Sequence, residues 1–190
     1  MKKLCCIAVF VLAVFAFASV SMAEEKMSQS DFDELLKKVE AGDADAQFEL
    51  SAMCYDGKNV KQDYEQAFYW CRKAAEQGHA DAQHNLGIMY YSGQGVKQDY
   101  KQAFYWYKKA AEQGQAIAQN NLGNMYDNGR GVNQDYEQAV IWYRKAAEQG
   151  QAIAQNNLGK MYANGRGVNQ DYEQAVEWYR KAAEQGDAEA

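Results

Sequence analysis

Residues 116–151 read AIAQNNLGNMYDNGRGVNQDYEQAVIWYRKAAEQGQ, and residues 152–187 repeat them with four changes: Asn124/Lys160, Asp127/Ala163, Ile141/Glu177 and Gln151/Asp187. The same 36-residue frame extends back to 80–115 and, with more drift, to 44–79, so it covers 144 of the 190 residues. A fixed period of this length marks a stack of repeats, each burying its apolar face against the next.

Inside one period the hydrophobic spacing assigns both halves. Ala118, Leu122, Met125 and Tyr126 lie at i, i+4, i+7 and i+8, one face of an α-helix. The segment Asp127-Asn128-Gly129-Arg130-Gly131 breaks that pattern with two glycines able to take positive φ. Asp135 then reads as the N-cap of a second helix, with Gln138 placed to close a capping box. Tyr136, Ala139, Val140, Tyr143 and Ala147 continue at helical spacing as far as Gly150. Gly123 sits within the first helix, where glycine costs about 1 kcal/mol relative to alanine. It recurs as Gly87 and Gly159, matched by Ala103, Ala139 and Ala175 in the second helices, and the expected cause is glycine packed on alanine.

The pattern Ala-x3-Leu-Gly-x2-Tyr-x2-Gly-x-Gly-Val-x2-Asp-Tyr-x2-Ala-x2-Trp-Tyr-x-Lys-Ala-Ala-x2-Gly resembles the Sel-one-like repeat (SLR), a relative of the tetratricopeptide repeat. The resemblance implies an all-α fold, a right-handed α/α superhelical solenoid of 36-residue helix-turn-helix repeats. It also implies a scaffold that binds a protein or peptide on its concave face without chemistry of its own. Cysteine-rich secreted members carry one cysteine late in a second helix and another eight residues on. Those places are here Ala75/Gln83, Ala111/Gln119 and Ala147/Gln155. Some secreted members have been linked to penicillin binding and β-lactam hydrolysis, which makes a hydrolase the rival expectation.

Ahead of the repeats, Met1-Lys2-Lys3, the apolar run Leu4 to Val20 and Ser21-Met22-Ala23 have the three parts of a secretory signal peptide, with cleavage expected after Ala23. An exported chain, periplasmic or secreted, with no stable membrane anchoring after cleavage, follows from that reading. Loss of Lys2 and Lys3 takes the formal charge from −6 to −8, which disfavours nucleic acid and anionic lipid as partners. Residues 24–43 read as a polar leader and an N-terminal capping helix, with a capping box at Ser30 and Asp33. Four repeats follow, 44–79, 80–115, 116–151 and 152–187, and residues 188–190 look like the start of another. The last second helix is therefore expected to leave stacking surface uncovered, a face open to self-association or a product of repeat loss.

The first repeat departs most from the pattern: Ser51 replaces the helix glycine, Asn59 the second turn glycine, and Cys54 and Cys71 replace tyrosines. Export allows a disulfide between the two cysteines. Antiparallel helices would separate them by about 10 Å along the axis, which favours buried free thiols. No catalytic constellation emerges. His79 and His84 have no metal-spaced companions, and Gly93-Gln94-Gly95 lacks the Gly-Lys-Ser/Thr ending of a phosphate loop. Metal and cofactor are expected to be absent, and the chain reads as non-enzymatic. Trp70, Trp106, Trp142 and Trp178 recur once per unit and read as packing. Candidate partner-binding residues are those of the first helices not used for packing: His84, Asn85, Ile88 and Tyr91, then Asn120, Asn121, Asn124 and Asp127, then Asn156, Asn157 and Lys160. Asn85, Asn121 and Asn157 form a ladder of amides that donate and accept, suited either to a peptide backbone or to bridging neighbouring repeats.

Overall fold

Each apolar-periodic segment becomes one helix, and side-chain caps set most of the ends. The structure, a computed structural model, describes residues 27–186. The signal-peptide reading and the partial repeat at 188–190 lie outside the described residues. These contain nine helices and no strand: α1 (Gln29–Ala41), α2 (Ala44–Asp56), α3 (Tyr64–Glu76), α4 (Ala80–Ser92), α5 (Tyr100–Glu112), α6 (Ala116–Asn128), α7 (Tyr136–Glu148), α8 (Ala152–Asn164) and α9 (Tyr172–Ala183). None of them is long and apolar enough to cross a membrane.

The hairpins close by one recurring device. Asp99, Asp135 and Asp171 each cap a second helix with a side-chain oxygen. Their own N–H groups donate back to the carbonyls of Tyr90, Tyr126 and Tyr162 at 2.9, 3.0 and 3.0 Å. The expected N-cap at Asp135 is thus present, accepting from the Gln138 amide at 3.0 Å. At α1 the cap is Ser28, which accepts from Asp31 N at 3.2 Å, two residues before the expected Ser30.

The chain divides into two units. Unit 1 holds α1 to α3, residues up to His79, together with Gln94–Val96. In it Ser51 Oγ donates to Ala67 O at 2.8 Å, and Cys54 and Cys71 are buried and not joined in a disulfide. Burial pushes Cys54 up to about 11 and Cys71 to about 12, so both stay protonated at neutral pH. Asn59 takes φ 60°, the left-handed conformation of the glycine it replaces, and its Oδ1 accepts from Met27 N at 3.1 Å.

Unit 2 holds the remainder, α4 to α9, in three helix pairs. Within each pair the helix glycine faces a tyrosine ring, which corrects the expected glycine–alanine contact. A Cβ on Gly87, Gly123 or Gly159 would lie 2.5, 2.6 or 2.7 Å from the rings of Tyr107, Tyr143 and Tyr179. The antiparallel offset carries the bulky residue one turn past the alanine, into the space that the missing side chain leaves. Successive pairs meet at the turn glycines. A Cβ on Gly131 would be 2.1 Å from Tyr100 O, and one on Gly167 2.2 Å from Tyr136 O. Only glycine fits there, with φ 72° and 68° respectively.

Candidate protein-binding wall

All eleven candidate residues fall in unit 2, on the first helices α4, α6 and α8. The structure sorts them into a seam and a surface. His84, Asn120 and Asn156 are buried. Two of them bridge neighbouring repeats: Asn121 Nδ2 lies 3.1 Å from His84 Nε2, and Asn157 Nδ2 donates to Asn120 Oδ1 at 2.9 Å. The amide ladder therefore spends hydrogen bonds along the stack. Burial lowers the His84 pKa, partly offset by a hydrogen bond with Asn85 and the charge of Asp81.

The remaining candidates are half-buried, apart from Lys160, which is exposed. Asn124 Oδ1 accepts from Tyr143 Oη at 2.7 Å, and Asp127 Oδ2 lies 3.5 Å from the same hydroxyl. Burial, reinforced by Asp127, pushes that phenol well above its ordinary range. Tyr91 meets Tyr100 edge-on at 5.1 Å between centroids and accepts from Arg130 Nη1. Ile88 packs on the cluster around Leu122 and Tyr107.

Two wall residues escaped the sequence reading. Ile117 and Ile153 are 52% and 57% exposed, at the second position of α6 and α8. They stand four residues before Asn121 and Asn157, one repeat apart, on the same helical stripe. Their signal was available: the same position is Asp45 and Asp81 in the earlier repeats, and a site that accepts aspartate is not core.

Four buried glutamines were also missed as structural residues: Gln47, Gln83, Gln119 and Gln155. In unit 2, Gln119 Nε2 donates to Ala111 O at 3.2 Å and Gln155 Nε2 to Ala147 O at 3.1 Å. Each also accepts from a glutamine just past the end of a second helix, Gln149 or Gln185, at 2.7 and 2.8 Å. Hydrogen bonds thus join Ala111 to Gln119 and Ala147 to Gln155, the two unit 2 position pairs at which the family resemblance would imply cysteines. The tryptophans are half-buried, with Trp142 packed on the Leu122 cluster and Lys145 Nζ 4.1 Å from its ring centroid. Among the described residues no group of three His, Cys, Asp or Glu side chains is placed to hold a metal ion.

Helix pairs of fixed length, turn glycines pressed on carbonyls and polar seams define an α/α repeat scaffold. The Sel1 repeat pattern matches residues 44–79, 80–115, 116–151 and 152–187, and the chain belongs to the Sel1 repeat family. It is similar to c5321, a protective antigen present in uropathogenic Escherichia coli strains and displaying an SLR fold, with 49% identity and a TM-score of 0.80 over 82% of this chain. A Sel1 repeat protein from Oxalobacter formigenes is 38% identical over 82% of this chain, with a TM-score of 0.76. Helicobacter pylori cysteine rich protein B is 27% identical over 67% of this chain and 91% of its own, with a TM-score of 0.53. This chain spans 33% of the E. coli protein and 62% of the Oxalobacter protein. No curated protein sequence matches it. The Sel1 repeat is a scaffold fold whose common use is protein–protein interaction.

Proposed function

We propose that the chain is an exported scaffold that holds a protein or peptide partner against the first-helix wall of unit 2, with no catalytic step. The observation that carries this reading is the pair of solvent-exposed isoleucines, Ile117 and Ile153, set one repeat apart among half-buried amides. Burying the exposed half of one isoleucine contributes roughly 1 kcal/mol, so the pair anchors a partner while the wall's remaining polar groups set its register. The wall carries little charge, with Asp81 and Asp127 against Lys160, which suits an uncharged or mixed segment better than a strongly acidic one. Export rests on the sequence of residues 1–23.

The test is affinity capture from the cell envelope with the natural protein and with an Ile117→Asp, Ile153→Asp variant. Both positions are exposed, so the variant is expected to keep its helicity and melting temperature while losing the captured partner. A partner retained equally by both proteins would remove the wall from the function. Alanine substitution of Asn121 or Asn157 is a poorer probe, because it also cuts a bridge between repeats.

A further inference from the structure

The two near-identical repeats of unit 2 part company on the wall. Two of the four positions at which residues 116–151 and 152–187 differ fall on the first helices, Asn124/Lys160 and Asp127/Ala163. They invert the charge: Asp127 is the one charged residue of α6, and Lys160 the one charged residue of α8. Lys160 is exposed and stands seven residues after the exposed Ile153, with Asn157 between them on the same helical stripe.

A second observation lies beneath that rung. In the α6–α7 pair the Tyr143 ring rests on Gly123, and its hydroxyl donates to Asn124 Oδ1 at 2.7 Å with Asp127 Oδ2 3.5 Å away. In the α8–α9 pair the Tyr179 ring rests on Gly159 in the same way, which brings its hydroxyl to the rung of Lys160 and Ala163. There the lysine side chain only donates, and the alanine does neither. The difference is internal to one repeat. It comes from the two substitutions, since the acceptors at Tyr143 belong to its own repeat and not to a neighbour.

Building on the wall as the partner's seat, we propose that the bound segment carries an aspartate or glutamate whose carboxylate sits at this rung, accepting from the Lys160 ammonium and the Tyr179 hydroxyl. The partner thereby supplies from outside the oxygen that Asn124 and Asp127 supply from within. Both hydrogen bonds are charge-assisted. Ile153 and Lys160 lie about 10 Å apart along α8, a span that an extended chain covers in about three residues. The acidic residue therefore lies about three positions from the apolar one that covers Ile153. One carboxylate suffices, because Asp127 one repeat earlier repels a second.

The test pans the full chain, produced with its own leader, against short random segments displayed within a phage coat protein, so that every carboxylate offered comes from a side chain. Enriched segments should share an acidic residue about three positions from an apolar one. Made as amidated peptides, they should bind the natural protein saturably by fluorescence anisotropy. The Lys160→Asn, Ala163→Asp protein has an α8 identical to α6, so it is expected to fold as the natural one does. It should bind the peptides about threefold or more weakly. Exchanging the peptide's acidic residue for its amide should weaken binding to the natural protein by about the same factor and leave binding to the variant unchanged. The Ile117→Asp, Ile153→Asp protein separates the wall from the rung. If nothing is enriched, or the peptides bind this protein as they bind the natural one, the wall is not the partner's seat and the proposal falls with it. If this protein loses the peptides, yet they lack the acidic residue or bind the Lys160→Asn, Ala163→Asp protein equally, the wall stands and the carboxylate proposal is overturned.

Discussion

His84 is a titratable group standing where later repeats have the amides Asn120 and Asn156. The ring is buried, 5.8 Å from the Tyr107 ring, with Asn85, Asn121 and Asp81 as its polar neighbours. Burial disfavours the imidazolium, so its pKa in the fold lies below the ordinary 6.5. The unfolded chain therefore takes up the proton first. Stability is fully present above about pH 6.5, falls as the pH drops through that value, and levels off below the pKa of the folded protein. His84→Asn, which copies the later repeats, should keep the bridge to Asn121 and flatten that part of the profile. Melting temperatures at a series of pH values from about 7.5 to 5.5 measure the difference; parallel profiles would show that His84 does not cause it.

Between paired helices the fit is one ring against one missing carbon. Gly123→Ala gains about 1 kcal/mol of helix propensity but drives a methyl into the fully buried Tyr143, and overpacking of that kind costs about 1–3 kcal/mol. The loss should win, leaving the variant less stable by up to roughly 2 kcal/mol by chemical denaturation. Gly159→Ala should cost less, because Tyr179 is only half-buried and its ring has room to shift. The first repeat shows the alternative solution: Ser51 with Cys71 in place of glycine with tyrosine, a larger residue on one helix and a smaller one on the other. Such pairings explain what the sequence could and could not reveal. Helices and turns were legible because the apolar spacing and the glycines recur in every period. The partner of Gly123 was not, since periodicity within a helix says nothing of the offset between two. The α1 cap was ambiguous, Ser28-x-x-Asp31 and Ser30-x-x-Asp33 being the same signal twice. Ile117 and Ile153 are legible as surface only against Asp45 and Asp81 of the earlier repeats, because isoleucine beside alanine is by itself equally compatible with core.

Along the stack, each repeat of unit 2 depends on its neighbours, so protection should be lower in a helix whose stacking residues are exposed. Native-state hydrogen exchange is expected to be faster by about tenfold or more in α9 than in α7, because Val176 is exposed where Val140 is covered. Equal protection of the two helices would show that unit 2 opens only as a whole. The bridges that link repeats, His84 with Asn121 and Asn120 with Asn157, could not be read from one helix because they connect residues 37 apart. At the turns the arrangement is simpler. Gly131 and Gly167 rest on the peptide oxygens of Tyr100 and Tyr136, so each junction senses the backbone of the preceding repeat, which every copy shares. Recombination that inserts or deletes 36 codons in frame therefore recreates a working junction at once. The length of such a chain can change in a single genetic event, while the identity of its wall changes separately, one side chain at a time.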